Sequence, residues 1–535
     1  MTWLAKLDII TIEYLVSEIV IFSFLFISFS FGTSSSVHGD FLHCLSHHSK
    51  TSIPIYTSSN SNYSSILEST ISNLRFNSST TRKPNLIITP LCKSHVQAAV
   101  ICSRKRGIQI KVRSGGHDFE GLSYTSNAPF IIVDLFKLRA INVNVKNRVA
   151  WAQSGATVGE LYYRIAEKSP SLGFPAAFCT TVGVGGFLSG GGYGSMFRKY
   201  GLAADNVINA RIVDARRKIL DKRSMGKDLF WAIRGCGGGS FGIVLSWKVR
   251  LVDVPPTVTL CSVKKSQEDG ARKIVHKWQE VAHKLPQEVF LDVDLIVVNA
   301  TGNKKTLLAS FNSVYLGGVE KFQIVMEERF SELGLETKDC IEMSWIQSVL
   351  FLSGYPVNVA LKVLLNQTQP KTFFKIKSDY VKEHISEIGL QGLWERLLIE
   401  ELTFLTFIPY GGRMSEISES ASPFPHRRGN LFKIIYLVSW DEKQNHASEK
   451  YISGVRNLYK YMTLYVSKSP REAYINYRDL DLGQNSKNDK ASYSQASTWG
   501  RRYFKNNYKR LVRVKSKVDP DNFFIHEQSI PSIAY

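Results

Sequence analysis

Seven of the twelve residues from Gly183 to Gly194 (GVGGFLSGGGYG) are glycine, and no other stretch constrains the fold as much. Glycine at that density loses much backbone entropy on folding and brings no side chain to bury. It makes sense where the backbone must pass close to a phosphate or a flat ring. Apolar residues are interleaved (Val184, Phe187, Leu188), which sets the segment apart from a mobile linker. A second cluster, GCGGGSFG at 235–242, contains a GxGxxG at 237–242. It leads into Ile243–Leu251, which alternates like a strand, whereas a dinucleotide fingerprint opens a helix. The dinucleotide-helix reading is therefore rejected for this cluster.

The flanks read as regular structure. Asn85–Thr89, Ile108–Val112, Phe130–Asp134, Ile141–Val145 and Val149–Gln153 have strand patterns. Ser94-x-x-Gln97 and Thr157-x-x-Glu160 match capping boxes that open helices, the first ending in Arg and Lys before Gly107. Pro255-Pro256 is the best linker candidate. Beyond it, strands at Leu291–Val298 and Leu431–Trp440 mix with helices at about 267–284, 318–333 and 445–462, and 499–518 reads as a basic helix ended by Asp519-Pro520. The expected division is 1–39 as signal peptide and possible N-terminal extension, 41–255 and 475–535 as two parts of one domain, and 256–474 as a second, α+β domain.

Composition narrows the function classes. Hydrophobic residues make up 44% and charged residues 21%, an ordinary globular balance that excludes a disordered chain or a polytopic membrane protein. The net charge of +21 favours polyanions, but the basic residues are scattered in short clusters and no nucleic-acid-binding signature accompanies them. A solvated basic surface is the plain reading; weak attraction to an acidic cell wall is the other. Ile19–Phe31 is apolar and uncharged but shorter than the roughly 20 residues of a membrane span, and small residues follow it. A secretory signal cleaved within 32–39 is expected, with a retained signal anchor as the competing view. Asn62, Asn77, Asn299 and Asn366 head Asn-x-Ser/Thr sequons, in keeping with a secreted glycoprotein. Secretion permits disulfides; Cys44 and Cys102 are candidates for pairing, although spacing cannot assign connectivity.

For chemistry, two residues stand out: His117, after a strand and a glycine pair in VRSGGHD, and Cys179, just before the glycine-rich run. No metal-ligand spacing joins them, and neither sits in a Gly-x-Ser-x-Gly elbow or a Cys-x-x-Cys pair. The segments RSGGHDFEGLSY (113–124), GFPAAFCTTVGVGG (173–186), SGGGYG (189–194), PFPHRRGNLFKI (423–434), INYRDLDLGQN (475–485) and VDPDNFF with EQSIP (518–531) occur in order over the chain from about Phe41. In these the sequence resembles the berberine-bridge-enzyme-like family of plant flavoproteins, of the vanillyl-alcohol-oxidase type.

The resemblance implies a two-domain, PCMH-type FAD-binding fold with a separate α+β substrate domain. It implies FAD held by two covalent bonds, His117 to the 8-methyl carbon and Cys179 to ring carbon 6, the second needing thiolate character. Arg113, Ser114, Gly115, Gly116, Gly183, Gly186 and Gly190 would cradle the cofactor beside Val182 and Tyr477. Tyr193 and Tyr477 would line the substrate pocket, with Lys433 favouring a phenolate base. Val182, where the family carries a small residue or a leucine, points to an oxidase that passes electrons to molecular oxygen. Phe187 stands where the family has a histidine supporting the flavin, Ile435 where it has Gln or a basic Glu, Cys236 for a glycine and Thr180 for a proline. An isoleucine moves no proton, so a carboxylate base there is excluded. The expected function is oxidation of an alcohol carbon of a small plant metabolite or oligosaccharide, with no metal. The rival expectation is a weakly active or non-catalytic basic cell-wall glycoprotein.

Overall fold

The computed structural model describes residues 33–299, 305–400, 404–485 and 492–533; the apolar 19–31 segment lies outside them. The first strand–helix–strand unit forms as expected. Leu86–Ile88 and Gln109–Arg113 both run parallel to Phe130–Asp134, with helix Lys93–Arg106 between them in sequence. Gly107 closes that helix at φ 63°, a left-handed conformation glycine adopts freely. The helix starts one residue before Ser94, however. Cys92 is its N-cap and no side chain caps it, so the Ser94 capping box is corrected. The Thr157–Glu160 box forms with both of its hydrogen bonds.

An antiparallel five-stranded sheet follows, in the order Ile141–Asn144, Val149–Gln153, Ile243–Arg250, Val207–Val213, Ile219–Leu220. The GCGGGSFG stretch thus does enter a strand. The third main sheet has seven antiparallel strands in the order Cys340–Met343, Val258–Ser266, Lys305–Tyr315, Val289–Asn299, Phe404–Pro409, Phe432–Trp440, Phe373–Val381. Side chains alternate between faces along a strand. Phe432, Ile434, Tyr436 and Val438 therefore join a core with Trp278, Phe322, Leu393 and Val455 from the covering helices. Lys433 and Ile435 face the other way, toward the glycine-rich segments. The basic tail is two helices, Tyr493–Phe504 and Asn507–Val518, because Lys505 breaks the expected single helix at φ 48°.

Cys44 bonds Cys102, and a second disulfide joins Cys261 to Cys340, its cross-strand partner on the edge strand. Cys92, Cys179 and Cys236 are free. Among the described residues no helix is long and apolar enough to cross a membrane, and no group of side chains could hold a metal ion.

Candidate active site

Two loops meet backbone to backbone. A methyl group on Gly183 would come 2.2 Å from the Gly115 nitrogen, and one on Gly115 would come 2.4 Å from the Gly183 nitrogen. Only glycine at both positions allows this approach. Ser114 ties the same junction: its hydroxyl donates to the Ser154 carbonyl and accepts the Gly185 N–H at 3.2 Å. The segment leading into Gly183 is pinned along the start of the Val158–Ala166 helix, with Gly159 N–H donating to Thr180 O at 2.8 Å and Val158 N–H to Val182 O at 2.9 Å. The glycine-rich run itself begins as a short helix, Val184–Ser189, before its open turns at Gly191 and Gly192.

This junction brings His117 and Cys179 to one hydroxyl. Thr181 Oγ1 lies 3.0 Å from His117 Nε2 and 3.4 Å from Cys179 Sγ. Burial pushes the His117 pKa down to about 4, the facing Thr181 carbonyl opposing this only in part, so the ring is neutral at physiological pH. Cys179 is exposed. Gly186, on the outer side of the short helix, is exposed, and a Cβ there would meet nothing within 4 Å. A neutral imidazole, an accessible thiol and a bare backbone surface on one side of one junction fit a flavin dinucleotide. Arg113 has another task. Its guanidinium is fully buried on Asp134 (2.6 Å) and on the Leu67 and Ile66 carbonyls. Gly116 (φ 73°) packs on Thr70, and Gly190 leaves room only for Asn476, so both serve close packing.

Opposite lies a phenol pair. The Tyr193 and Tyr477 hydroxyls are in direct hydrogen-bond contact. The Lys433 Nζ sits over their ring faces, 3.4 Å from the Tyr193 centroid and 4.6 Å from those of Tyr477 and Tyr474. Lys433 is buried without a carboxylate partner among the described residues, and desolvation holds its pKa well below the usual value. Desolvation raises both phenols. The hydrogen bond from Tyr193 opposes this at Tyr477 only, so Tyr477 is the more acidic of the two. The lysine thus acts through the ring faces rather than at a hydroxyl oxygen.

Sequence reasoning missed several neighbours. Tyr474, whose hydroxyl accepts from Gly192 N–H (3.0 Å) and Asn476 (3.1 Å), orients the Tyr193 turn. Phe119 stacks on Tyr477 at 5.4 Å. Phe187 lies against the Gly192 backbone, where a methyl would come within 2.6 Å of its ring. Ile435 is half-buried in a straight cross-strand row with Thr406 and Asp294. Asp294 and Asp292 share the amide of Asn312, at 3.0 and 3.2 Å. A strand's alternation could have placed the row on the site face; its polar partners come from other strands.

The assembly defines an FAD-binding oxidoreductase, and the comparisons agree. Residues 84–221 match the FAD binding domain family, and residues 473–531 match the family described as berberine and berberine like. The chain belongs to the berberine bridge enzyme-like family. It is 53% identical over 509 residues to tetrahydroberberine oxidase of Berberis wilsoniae, covering 94% of this chain and 95% of that one. The solved structure of BBE-like #28 from Arabidopsis thaliana superposes with a TM-score of 0.88 at 48% identity, covering 93% and 100%. Phl p 4, a grass pollen allergen with glucose dehydrogenase activity, does so with a TM-score of 0.88 at 45% identity and the same coverage.

Proposed function

We propose that this enzyme is a secreted, glycosylated oxidase carrying FAD bonded to His117 and Cys179, and that it oxidises an alcohol carbon of a small plant metabolite or oligosaccharide. FAD bound there would supply a two-electron acceptor for the substrate hydride, with oxygen as the final acceptor. The chain's own residues handle the proton. Tyr477 takes it as the phenolate, which Tyr193 stabilises beforehand by donating to its oxygen and Lys433 by facing its ring. The observation that carries this reading is the contact of the two phenols over an otherwise unpaired lysine. Val182, partly exposed between the Cys179 loop and the short helix, leaves less bulk than a leucine where oxygen would approach.

Secretion rests on the apolar 19–31 segment, and all four sequon asparagines are exposed. Contact with acidic cell-wall polysaccharide rests on the +21 charge. The decisive experiment measures peroxide release from cinnamyl alcohols, cello-oligosaccharides, glucose and tetrahydroberberine, the last two taken from the relatives' names. Silence on the alcohols and sugars refutes the substrate class, and peroxide from tetrahydroberberine alone would replace it with oxidation beside an amine nitrogen. Phe187 favours a second reading, a weakly active or non-catalytic wall glycoprotein. A preparation without flavin absorbance would support it.

A further inference from the structure

We propose that Thr181 is the positioning residue for both covalent attachments, its single hydroxyl ordering the imidazole and the thiol together. This rests on the bicovalent reading above. The hydroxyl has one proton, and its two neighbours fix how that proton is used. With the proton on His117 Nε2, 3.0 Å away, the hydroxyl accepts from the ring and its own proton is left for Cys179 Sγ at 3.4 Å. That arrangement selects one tautomer of the neutral ring and presents the nitrogen that the hydroxyl does not hold. It also gives the sulfur a donor as it loses its own proton.

Thr181 is well placed for such a role. It is 5% exposed, and the backbone on either side is held by Gly159 and Val158, so its position is set by the fold. Each attachment replaces one C–H of the flavin, at the 8-methyl group for the C–N bond and at carbon 6 for the C–S bond. One proton leaves the flavin carbon and one leaves the imidazole or the thiol. Two electrons enter the ring system and pass to dioxygen, which with those two protons becomes hydrogen peroxide. In the histidine step the departing proton is the one on Nε2, directly against the Thr181 oxygen.

The test compares Thr181→Val and Thr181→Ala, which lack the hydroxyl, with Thr181→Ser, which keeps it. Covalent flavin is read by fluorescence of the denatured protein band and by intact mass, and each linkage by peptide mapping; neither needs turnover. The expected result is at least a tenfold fall in doubly attached flavin for Val and Ala, at both linkages, with Ser within twofold of wild type. Attachment by Val or Ala within twofold of wild type overturns the proposal, as does loss of one linkage alone. Equal losses in Ser and Ala overturn it too, because the hydroxyl is then not the cause. Wild-type protein with no covalent flavin refutes the bicovalent reading itself, a separate outcome.

Discussion

Replacing Lys375 by methionine tests how the site is held together. Lys375 reaches from the seven-stranded sheet to Glu120, three residues after His117, and to Asp479 (2.7 Å), two residues after Tyr477. Lys377 binds Asp479 at 2.5 Å and Asp481 at 2.8 Å, and Arg456 also binds Asp481. Lys375, Glu120 and Asp479 are each at most 5% exposed. Methionine matches the side chain's length but leaves Glu120 without its cation, whereas Asp479 keeps Lys377. Removing one partner of a buried pair costs about 3–5 kcal/mol. The sign of the pH dependence follows from Glu120, whose pKa burial already raises above the ordinary value and which Lys375 holds down. Without the lysine it rises further. A group with a raised folded pKa favours the native state while protonated, and that advantage is lost as pH climbs through the folded value. The destabilisation of Lys375→Met is therefore largest at pH 7.5 and shrinks toward pH 5. Urea unfolding followed by tryptophan fluorescence should show about 3–5 kcal/mol lost at pH 7.5, less than half of that at pH 5, and partial recovery in the Lys375→Met/Glu120→Gln double variant. A loss under about 1 kcal/mol, the range of exposed pairs, or one independent of pH, would refute the reasoning.

Tyr477→Phe should slow anaerobic flavin reduction by about 10²–10⁴, the usual contribution of a positioned base, and Tyr193→Phe by less; a stopped-flow change under threefold for Tyr477→Phe removes it as base. Gly183→Ala meets backbone within 2.2 Å and should destabilise by about 3 kcal/mol, at the upper end of overpacking. Gly186→Ala faces open space and should melt close to wild type, a contrast that thermal unfolding of the apoprotein reads directly. Asp292→Asn should stabilise the protein at neutral pH, because burial and the Asp294 charge hold the Asp292 carboxyl well above its ordinary range. The gain should fade below about pH 4, where the unfolded carboxyl is protonated too, and a gain that grows on acidification would contradict it.

What the sequence made legible was local or patterned. The Thr157 box, the strands around it and the turn from GCGGGSFG into a strand depend on short spacings, and the structure repeats them. The glycine-rich run was legible as a place of close approach. Part of its reason differs: Gly183 and Gly115 need the space for each other, while Gly186 offers a bare face. Ser94 looked like a cap because serine commonly is one, yet the helix begins a residue earlier. Arg113 looked like a cofactor ligand from its place beside the glycine pair, but its charge is spent on Asp134, which lies on the next strand of the sheet. The acidic residues of RDLDLG were given no role from the sequence. Their partners, Lys375 and Lys377, are about a hundred residues away and alternate on a strand with apolar neighbours, so neither half announces the other.

The dependence of the sheet's lysines on Asp479 and Asp481 has a consequence for biosynthesis. Every charge in that network except the last two carboxylates, and every phenol of the pocket except Tyr474 and Tyr477, is already on the chain when residue 470 leaves the ribosome. Until the final sixty or so residues follow, a matter of seconds at roughly 5–20 residues per second, Lys377 and Arg456 lack their carboxylates, Lys375 has Glu120 alone, and the pocket has Tyr193 without its partner phenols. A chain ended before residue 474 would therefore carry the His117–Cys179 junction without the phenol that faces Tyr193 and without the carboxylates that tie the sheet to it.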